Sequence, residues 1–358
     1  MDKIMFYVHS LNKGGAERVM LTVGEELSKI SDVVILTDCV DEREYKLAEG
    51  IRRINIEDVL KEKELSVNSR NRIMTIRKIC KEENPKVVIA FMMTSSTRCL
   101  IANAFSKVKV ISTIRSDPFE FYGSFKKRLF VNMVFAMSKA IVCQTTYQQT
   151  YFYGPIRKKS VVILNPIFKE FRVPPFSGER TSRIVATGRL VDFKNYELMI
   201  EGFSRVAADY PDINLEIFGE GPMRPILEKI ISDLKMEGRV ILKGDSINVA
   251  GDIADGLFYV MTTNSEGMPN SLMEAMALGM PVLSTDCLGD GARILIKDGY
   301  NGLLIPVKDI DALEQGYRRM LDNKELRDEL ALHAREIQER CNIVNIAKEW
   351  QDLWSDVR

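Results

Sequence analysis

Short apolar runs recur along this chain, each followed by a segment whose apolar residues return every three to four positions. Runs at 3–8, 33–37, 51–56, 86–91, 108–113, 140–144 and 161–164 predict strands. Segments opening near 15 and spanning 68–83, 95–105 and 123–138 predict the helices between them. The stretch Val173-Pro-Pro-Phe-Ser-Gly-Glu-Arg180 interrupts the pattern with proline and glycine and predicts a linker. The alternation then restarts, with strands at 184–187, 213–218, 240–242, 257–261, 280–284 and 302–305 and helices at 196–210, 222–236, 310–323 and 325–340. Such alternation predicts an α/β class, and its repetition predicts two Rossmann-like, doubly wound parallel-sheet domains facing a central cleft. The last segment, 344–354, has apolar residues at helical spacing and both tryptophans, so it predicts a helix packing back on the first domain. The expected domains are 1–172, 173–340 and that C-terminal helix, 341–358.

A chain of 358 residues is long for one core and fits two domains of ordinary size. No run of about 18 apolar residues is present to span a bilayer. The opening Met1-Asp-Lys-Ile-Met-Phe-Tyr-Val-His9 reads as a first strand, without the cationic flank and cleavage site of an export signal. Six cysteines form no Cys-x-x-Cys pair and only two histidines accompany them, which argues against disulfides and a zinc site. A cytoplasmic protein is expected. Net charge is zero but unevenly spread: residues 1–170 hold 28 Lys plus Arg against 19 Asp plus Glu, the remainder 22 against 31. The basic first half predicts an anionic partner, and nucleic acid and anionic lipid both qualify on charge alone.

Candidate chemistry gathers at strand-to-helix loops. The stretch from Thr262 to Asp286 reads as strand end, loop, short helix and strand, with Pro269 suited to a first helical turn and Gly279 to a C-terminal cap. Glu266 lies on its loop and Glu274 inside its helix, with seven residues between. A helix start attracts a diphosphate, and a carboxylate nearby suits sugar hydroxyls; alternatively Glu274 merely stabilises its own helix. Arg189 and Lys194 flank another such loop, either as a diphosphate clamp or as surface charge. In the first half, Gly14-Gly-Ala-Glu17 opens a helix but matches neither a dinucleotide fingerprint nor a P-loop. Arg115 and Asp117 follow a strand, as edge ligands or as helix-start and solvent residues. Segment 123–138 combines Phe125, Leu129 and Phe130 with Lys126, Lys127 and Arg128, and reads either as a helix lying in a lipid headgroup layer or as a core helix with a solvated basic end. Asp309-Ile-Asp311 opens a late helix and reads as a cap, not a metal site.

Taken together, Gly14-Gly-Ala-Glu17, Asn165-Pro166, Gly188-Arg189 with Lys194-Asn195, Gly219-Glu-Gly-Pro222 and Glu266-Gly-Met-Pro-Asn-Ser-Leu-Met-Glu274-Ala-Met-Ala-Leu-Gly-Met-Pro-Val282 resemble the retaining glycosyltransferases of family 4, which have the GT-B fold. The resemblance covers nearly the whole chain and centres on the Glu-x7-Glu motif. It implies transfer of a hexose or N-acetylhexosamine from a nucleotide-diphosphate sugar, a UDP-sugar in first expectation, to a glycan acceptor on a lipid diphosphate, in assembly of bacterial surface polysaccharide. It also implies that Arg189 and Lys194 neutralise the departing diphosphate and that Glu266, with Gly267, Met268, Pro269 and Asn270, faces the donor sugar. Glu274 then holds the ribose, Ser271 and Leu272 offer amides to the phosphates, Gly15 and Gly188 lie near them, and the base rests by Lys243 and Gly244. Many such enzymes carry a histidine near the reacting sugar. Here Arg115 and Asp117 take that place as catalytic candidates, which leaves the acceptor-activating group open; a route in which the departing phosphate itself takes the acceptor proton needs no such base and is the favoured one. Arg293 stands where an acidic residue is more usual. No metal, cofactor or nucleic acid is expected, and peripheral contact with an anionic membrane at its inner face is. The rivals are a nucleotide-sugar epimerase on the same fold and a binding protein with a decayed site.

Overall fold

The protein's structure, a computed structural model, describes residues 1–355. The chain divides into two compact units. The first takes in Met1–Pro166 and the C-terminal segment from Asn342. Its strands are β1 (Lys3–Val8), β2 (Asp32–Thr37), β3 (Arg52–Asn55), β4 (Val87–Ala90), β5 (Lys109–Thr113), β6 (Ala140–Cys143) and β7 (Ser160–Val162). All pair in parallel, in the order β3-β2-β1-β4-β5-β6-β7. Helices cover both faces of a parallel sheet, so its strands read as continuous apolar runs. Val87 to Ala90 and Ala140 to Cys143 are buried throughout.

The apolar run at 51–56 ends earlier as a strand than its hydrophobicity predicts. Asn55 accepts a hydrogen bond from Glu57 N at 3.3 Å and starts a helix at Ile56–Glu62. The C-terminal helix, Ile343–Asp352, buries Ile343, Ile346, Ala347 and Trp350, a spacing that puts all four on one face. It packs against the helix Gly15–Ser28, and Trp350 stacks on Phe91 with ring centroids 5.8 Å apart.

The second unit is Ile167–Cys341. It holds β8 (Arg183–Thr187), β9 (Asn214–Phe218), β10 (Val240–Gly244), β11 (Phe258–Met261), β12 (Val282–Thr285) and β13 (Leu303–Ile305). These form a six-stranded parallel sheet ordered β10-β9-β8-β11-β12-β13. The boundary falls at Pro166, before the proline-rich break at 173–180. Phe168 and Phe171 are already buried in the second unit, and Gln338 and Arg335 donate to the carbonyls of Phe171 and Val173.

Strand order reverses between β1 and β4 in one sheet and between β8 and β11 in the other. In open α/β sheets ligands gather at the carboxyl ends of strands beside such a reversal. The candidate residues occupy those edges.

Candidate functional site

In the second unit, β8 is followed at once by Gly188 at φ 144°, and β9 by Gly219 at φ 136°. A Cβ on Gly219 would stand 2.1 Å from the Gly188 carbonyl oxygen, so only glycine lets the two loops touch. Amide bonds from Gly188 to Phe218 and from Leu190 to Glu220, each 2.9 Å, lock this contact. Arg189 rides on the joint, exposed, its side chain in no hydrogen bond or ion pair among the described residues.

The chain then turns through a short 3-10 segment, Asp192–Lys194, and Asn195, left-handed at φ 52°, caps the helix Tyr196–Val206. Thr262 at the end of β11 donates to the Asn195 carbonyl at 2.8 Å, and Asn195 donates to Asn264 at 3.2 Å. These ties bring Lys194 against the β11 loop, where its Nζ meets Glu266 Oε1 at 2.5 Å. Both side chains are less than one-fifth exposed. Burial disfavours the Lys194 charge, but the Glu266 carboxylate more than offsets it, and the lysine pKa rises.

Glu266 is held from behind. Its amide donates to Leu288 at 2.9 Å, and Cβ atoms at Gly289 or Gly291 would lie 2.5 and 2.6 Å from its carbonyl oxygen. Between these glycines Asp290 takes a positive φ of 62°. The unusual Arg293 pairs with Asp286 on the same loop. Downstream, Gly267 and Met268 are buried, and Pro269 stands at the N-cap, one position before the helix Asn270–Ala277. Ser271 and Leu272 lie in that helix's first turn, where backbone N–H groups lack intrahelical acceptors. Glu274 is the fifth helical residue and 8% exposed, beyond the first turn and therefore not a dipole-stabilising acid. Gly279, at φ 71°, follows the helix end as expected of a left-handed cap.

Lys243 and Gly244 end β10, and Gly244, at φ 77°, accepts the Gly219 amide at 2.8 Å. Lys243 lies over the Phe218 ring at 5.8 Å and 3.6 Å from the buried Glu216, whose other oxygen takes Arg183 at 2.7 Å. A cavity of about 450 Å³ opens here, lined among others by Phe218, Lys243, Ser246 and Asn248. Asp309 accepts the Ala312 amide at 2.8 Å, the cap that the sequence predicts.

In the first unit, Gly14 is the N-cap of the helix that Gly15 begins. Arg115 and Asp117 make packing and capping contacts within this unit. The Arg115 guanidinium lies 4.6 Å over Phe91 and 5.4 Å from the Trp350 ring, and Nη1 donates to Asn165 at 2.9 Å. Its Nε and Nη2 are shut off from solvent without a partner, and burial pulls its pKa down to about 9. Asp117 is an N-cap, one of its oxygens accepting the Phe119 amide at 2.8 Å at the start of Pro118–Tyr122.

What the sequence reading missed is a network at the ends of β1 and β2. Asp38, its side chain wholly buried, accepts Tyr7 at 2.8 Å, His9 Nδ1 at 2.9 Å and Arg98 at 2.5 Å, with Arg72 Nε at 3.9 Å. Burial acts to raise the Asp38 pKa, yet the bonds from His9 and Tyr7 and the two arginine charges hold it below the usual carboxylate value. The Asp38 hydrogen bond in turn raises the His9 pKa. The signal was present: one of two histidines and an aspartate each directly follow a strand.

Residues 168–337 match the family described as Glycosyl transferases group 1. A Campylobacter jejuni protein, GalNAc-alpha-(1->4)-GalNAc-alpha-(1->3)-diNAcBac-PP-undecaprenol alpha-1,4-N-acetyl-D-galactosaminyltransferase, is 27% identical over 100% of this chain and 99% of its own. A second from that organism, N-acetylgalactosamine-N,N'-diacetylbacillosaminyl-diphospho-undecaprenol 4-alpha-N-acetylgalactosaminyltransferase, is 25% identical over 98% of each chain. Anabaena HepE, solved in complex with UDP, shares the fold with a TM-score of 0.81 at 15% identity, covering 100% of both chains.

Proposed function

We propose that this chain, a GT-B glycosyltransferase whose residues 168–337 match group 1, moves a hexose or N-acetylhexosamine from a UDP-sugar to a lipid-diphosphate-linked glycan, with retention of configuration and without a metal. The reading places the enzyme peripherally at the inner face of a membrane, where such an acceptor is found. The observation that carries it is the largely buried Lys194–Glu266 pair at 2.5 Å, with the exposed Arg189 five residues before Lys194 and the helix that bears Glu274 following Glu266 in the chain.

Departure of a nucleoside diphosphate breaks the bond between the anomeric carbon and a phosphate oxygen, and the electron pair stays with that oxygen. Negative charge grows on the diphosphate while the sugar becomes oxocarbenium-like. Fixed cations and amides aimed at the leaving group lower that barrier because their reorganisation is complete before reaction. Lys194 and Arg189 supply the cations, the amides of Ser271 and Leu272 supply neutral donors, and Gly188 lets backbone approach the phosphates. Glu266 holds Lys194 in place and, with the 267–270 backbone, faces the sugar. Glu274 accepts from the ribose hydroxyls, and the base lies by Lys243 and Gly244 at the mouth of the cavity. The acceptor oxygen bonds the anomeric carbon, and its proton passes to the departing phosphate oxygen. That route needs neither Arg115 nor Asp117, consistent with their packing and capping duties.

The test is a donor panel read by nucleoside diphosphate release, with and without EDTA, followed by NMR of the product's anomeric linkage. Acceptor-dependent release from a UDP-sugar in EDTA, giving an α-linked product from an α-linked donor, is expected. Sugar epimerisation without acceptor, an inverted product or loss of turnover in EDTA restored by magnesium would each overturn the corresponding part.

A further inference from the structure

The helix Phe125–Phe135 divides its side chains cleanly. Val131, Asn132, Val134 and Phe135 are buried in the first unit's core, while Phe125 is 73% exposed, Leu129 50% and Met133 64%. Those three recur at every fourth position, so they form one stripe along the outer face. Beside them Lys126 and Lys127 are exposed, and no ion pair holds either among the described residues. Arg128 does not join them: it turns inward, donating to the carbonyls of Tyr151 and Thr150 at 2.8 and 3.0 Å. The helix Met93–Ala102 packs against this one, and just past its end Phe105 is 92% exposed, two residues before Lys107.

The surrounding charge is one-sided. Residues 1–83 are nearly balanced, with 15 Lys plus Arg against 16 Asp plus Glu. Residues 84–169 hold 13 Lys plus Arg against two acids, Asp117 and Glu120, so the basic excess of the first half resides in the segment that builds β4 to β7 and the two helices. Exposed phenylalanine, leucine and methionine beside unpaired lysines combine acyl-compatible surface with attraction to anionic headgroups. A nucleic-acid groove would set its cations along a track of phosphates with aromatic rings to stack on; the leucine and methionine of the stripe serve hydrocarbon instead.

We infer that the stripe Phe125–Leu129–Met133, with Phe105 and the lysines at 107, 126 and 127, seats the first unit in the interfacial layer of an anionic bilayer. This rests on the transferase reading for its purpose, delivery of the enzyme to a lipid-linked acceptor, but not for its physics. The helix lies flat, its apolar side chains entering the acyl boundary and its lysines at headgroup level.

Co-sedimentation of the full chain with vesicles of phosphatidylcholine alone or with 30% phosphatidylglycerol, a proportion of about one anionic lipid in three, tests it. Expected is binding to the anionic vesicles that falls with added salt, and roughly 10- to 30-fold weaker binding for Lys126→Ala with Lys127→Ala. Phe125→Ser with Leu129→Ser is expected to weaken binding at least about 30-fold. Thermal melting and UDP-sugar turnover on a water-soluble acceptor serve as controls and are expected to be unchanged in these variants. Equal binding to both vesicle types, unaltered binding by the serine variant, self-association through this face without vesicle binding, or retention by duplex nucleic acid alone would overturn the inference. Vesicle binding without turnover removes only the transferase reading, and turnover without vesicle binding removes only this one.

Discussion

Replacing Lys194 with alanine removes the ammonium that sits 2.5 Å from Glu266 and that, on the proposed function, faces the developing diphosphate. Two costs follow, and they are separable. Loss of one preorganised charge from a leaving group's site lowers kcat by roughly 10²- to 10³-fold, about 2.7–4 kcal/mol of barrier. Breaking a buried ion pair by deleting one partner costs about 3–5 kcal/mol of stability. Glu266 keeps 19% of its side chain exposed, so the lower end, about 3 kcal/mol, is expected, a fall in melting temperature of roughly 6–12 °C for a unit of this size. The assay is nucleoside diphosphate release at saturating donor, paired with calorimetry. The companion variant Lys194→Met with Glu266→Gln removes both charges, so stability returns while turnover stays low. Turnover within threefold of wild type in Lys194→Ala, or recovery of turnover together with stability in the double variant, would show that Lys194 only shields Glu266 and would refute its part in leaving-group departure.

On the proposed function Glu274→Ala deletes a charge-assisted acceptor for two ribose hydroxyls, so kcat/KM for the donor is expected to fall by roughly 10²-fold, and isothermal titration with UDP should show the same loss. Gly219→Ala forces a Cβ to within 2.1 Å of the Gly188 carbonyl at φ 136°, so at least about 2 kcal/mol of destabilisation is expected by thermal melting, with weaker UDP binding. In the first unit the pH dependence has two limbs. Asp38, with a depressed pKa, contributes stability above the ordinary carboxylate value near 4 and loses it as pH falls through its folded pKa. His9, with a raised pKa, contributes fully below its ordinary value near 6.5 and loses that as pH rises through its folded pKa. Melting temperature is therefore expected to be highest between about pH 4 and 6.5, and His9→Ala should abolish the alkaline limb and also shrink the acid limb, since the His9 bond helps hold the Asp38 pKa down.

The strands and the order of loop and helix around Glu266 and Glu274 were legible because they are local. An apolar run such as Val87 to Ala90 announces a parallel strand by itself, and Glu266, Pro269 and Glu274 sit within one loop and helix whose order fixes their neighbourhood. The surroundings of Arg115 were not legible because they are supplied from elsewhere: Trp350, from the far end of the chain, closes over it. The Asp38 network needed the register of β1 beside β2, which pairs Val8 with Thr37 and so sets His9 next to Asp38. Hydrophobic periodicity carries no such register. The 123–138 segment offered a lipid-facing helix or a core helix, and the structure contains both, on opposite sides of one helix.

The first unit is discontinuous in sequence, because the whole of Ile167–Cys341 is inserted before the helix Ile343–Asp352 completes it. The ends of that insertion are tied to each other, the Ile167 amide donating to the Cys341 carbonyl at 2.9 Å. A ribosome therefore delivers every residue of the second unit before Trp350. The later unit can close its core first, while the earlier one waits with Phe91 and Arg115 uncovered until the final helix arrives, so order of synthesis and order of folding run in opposite directions.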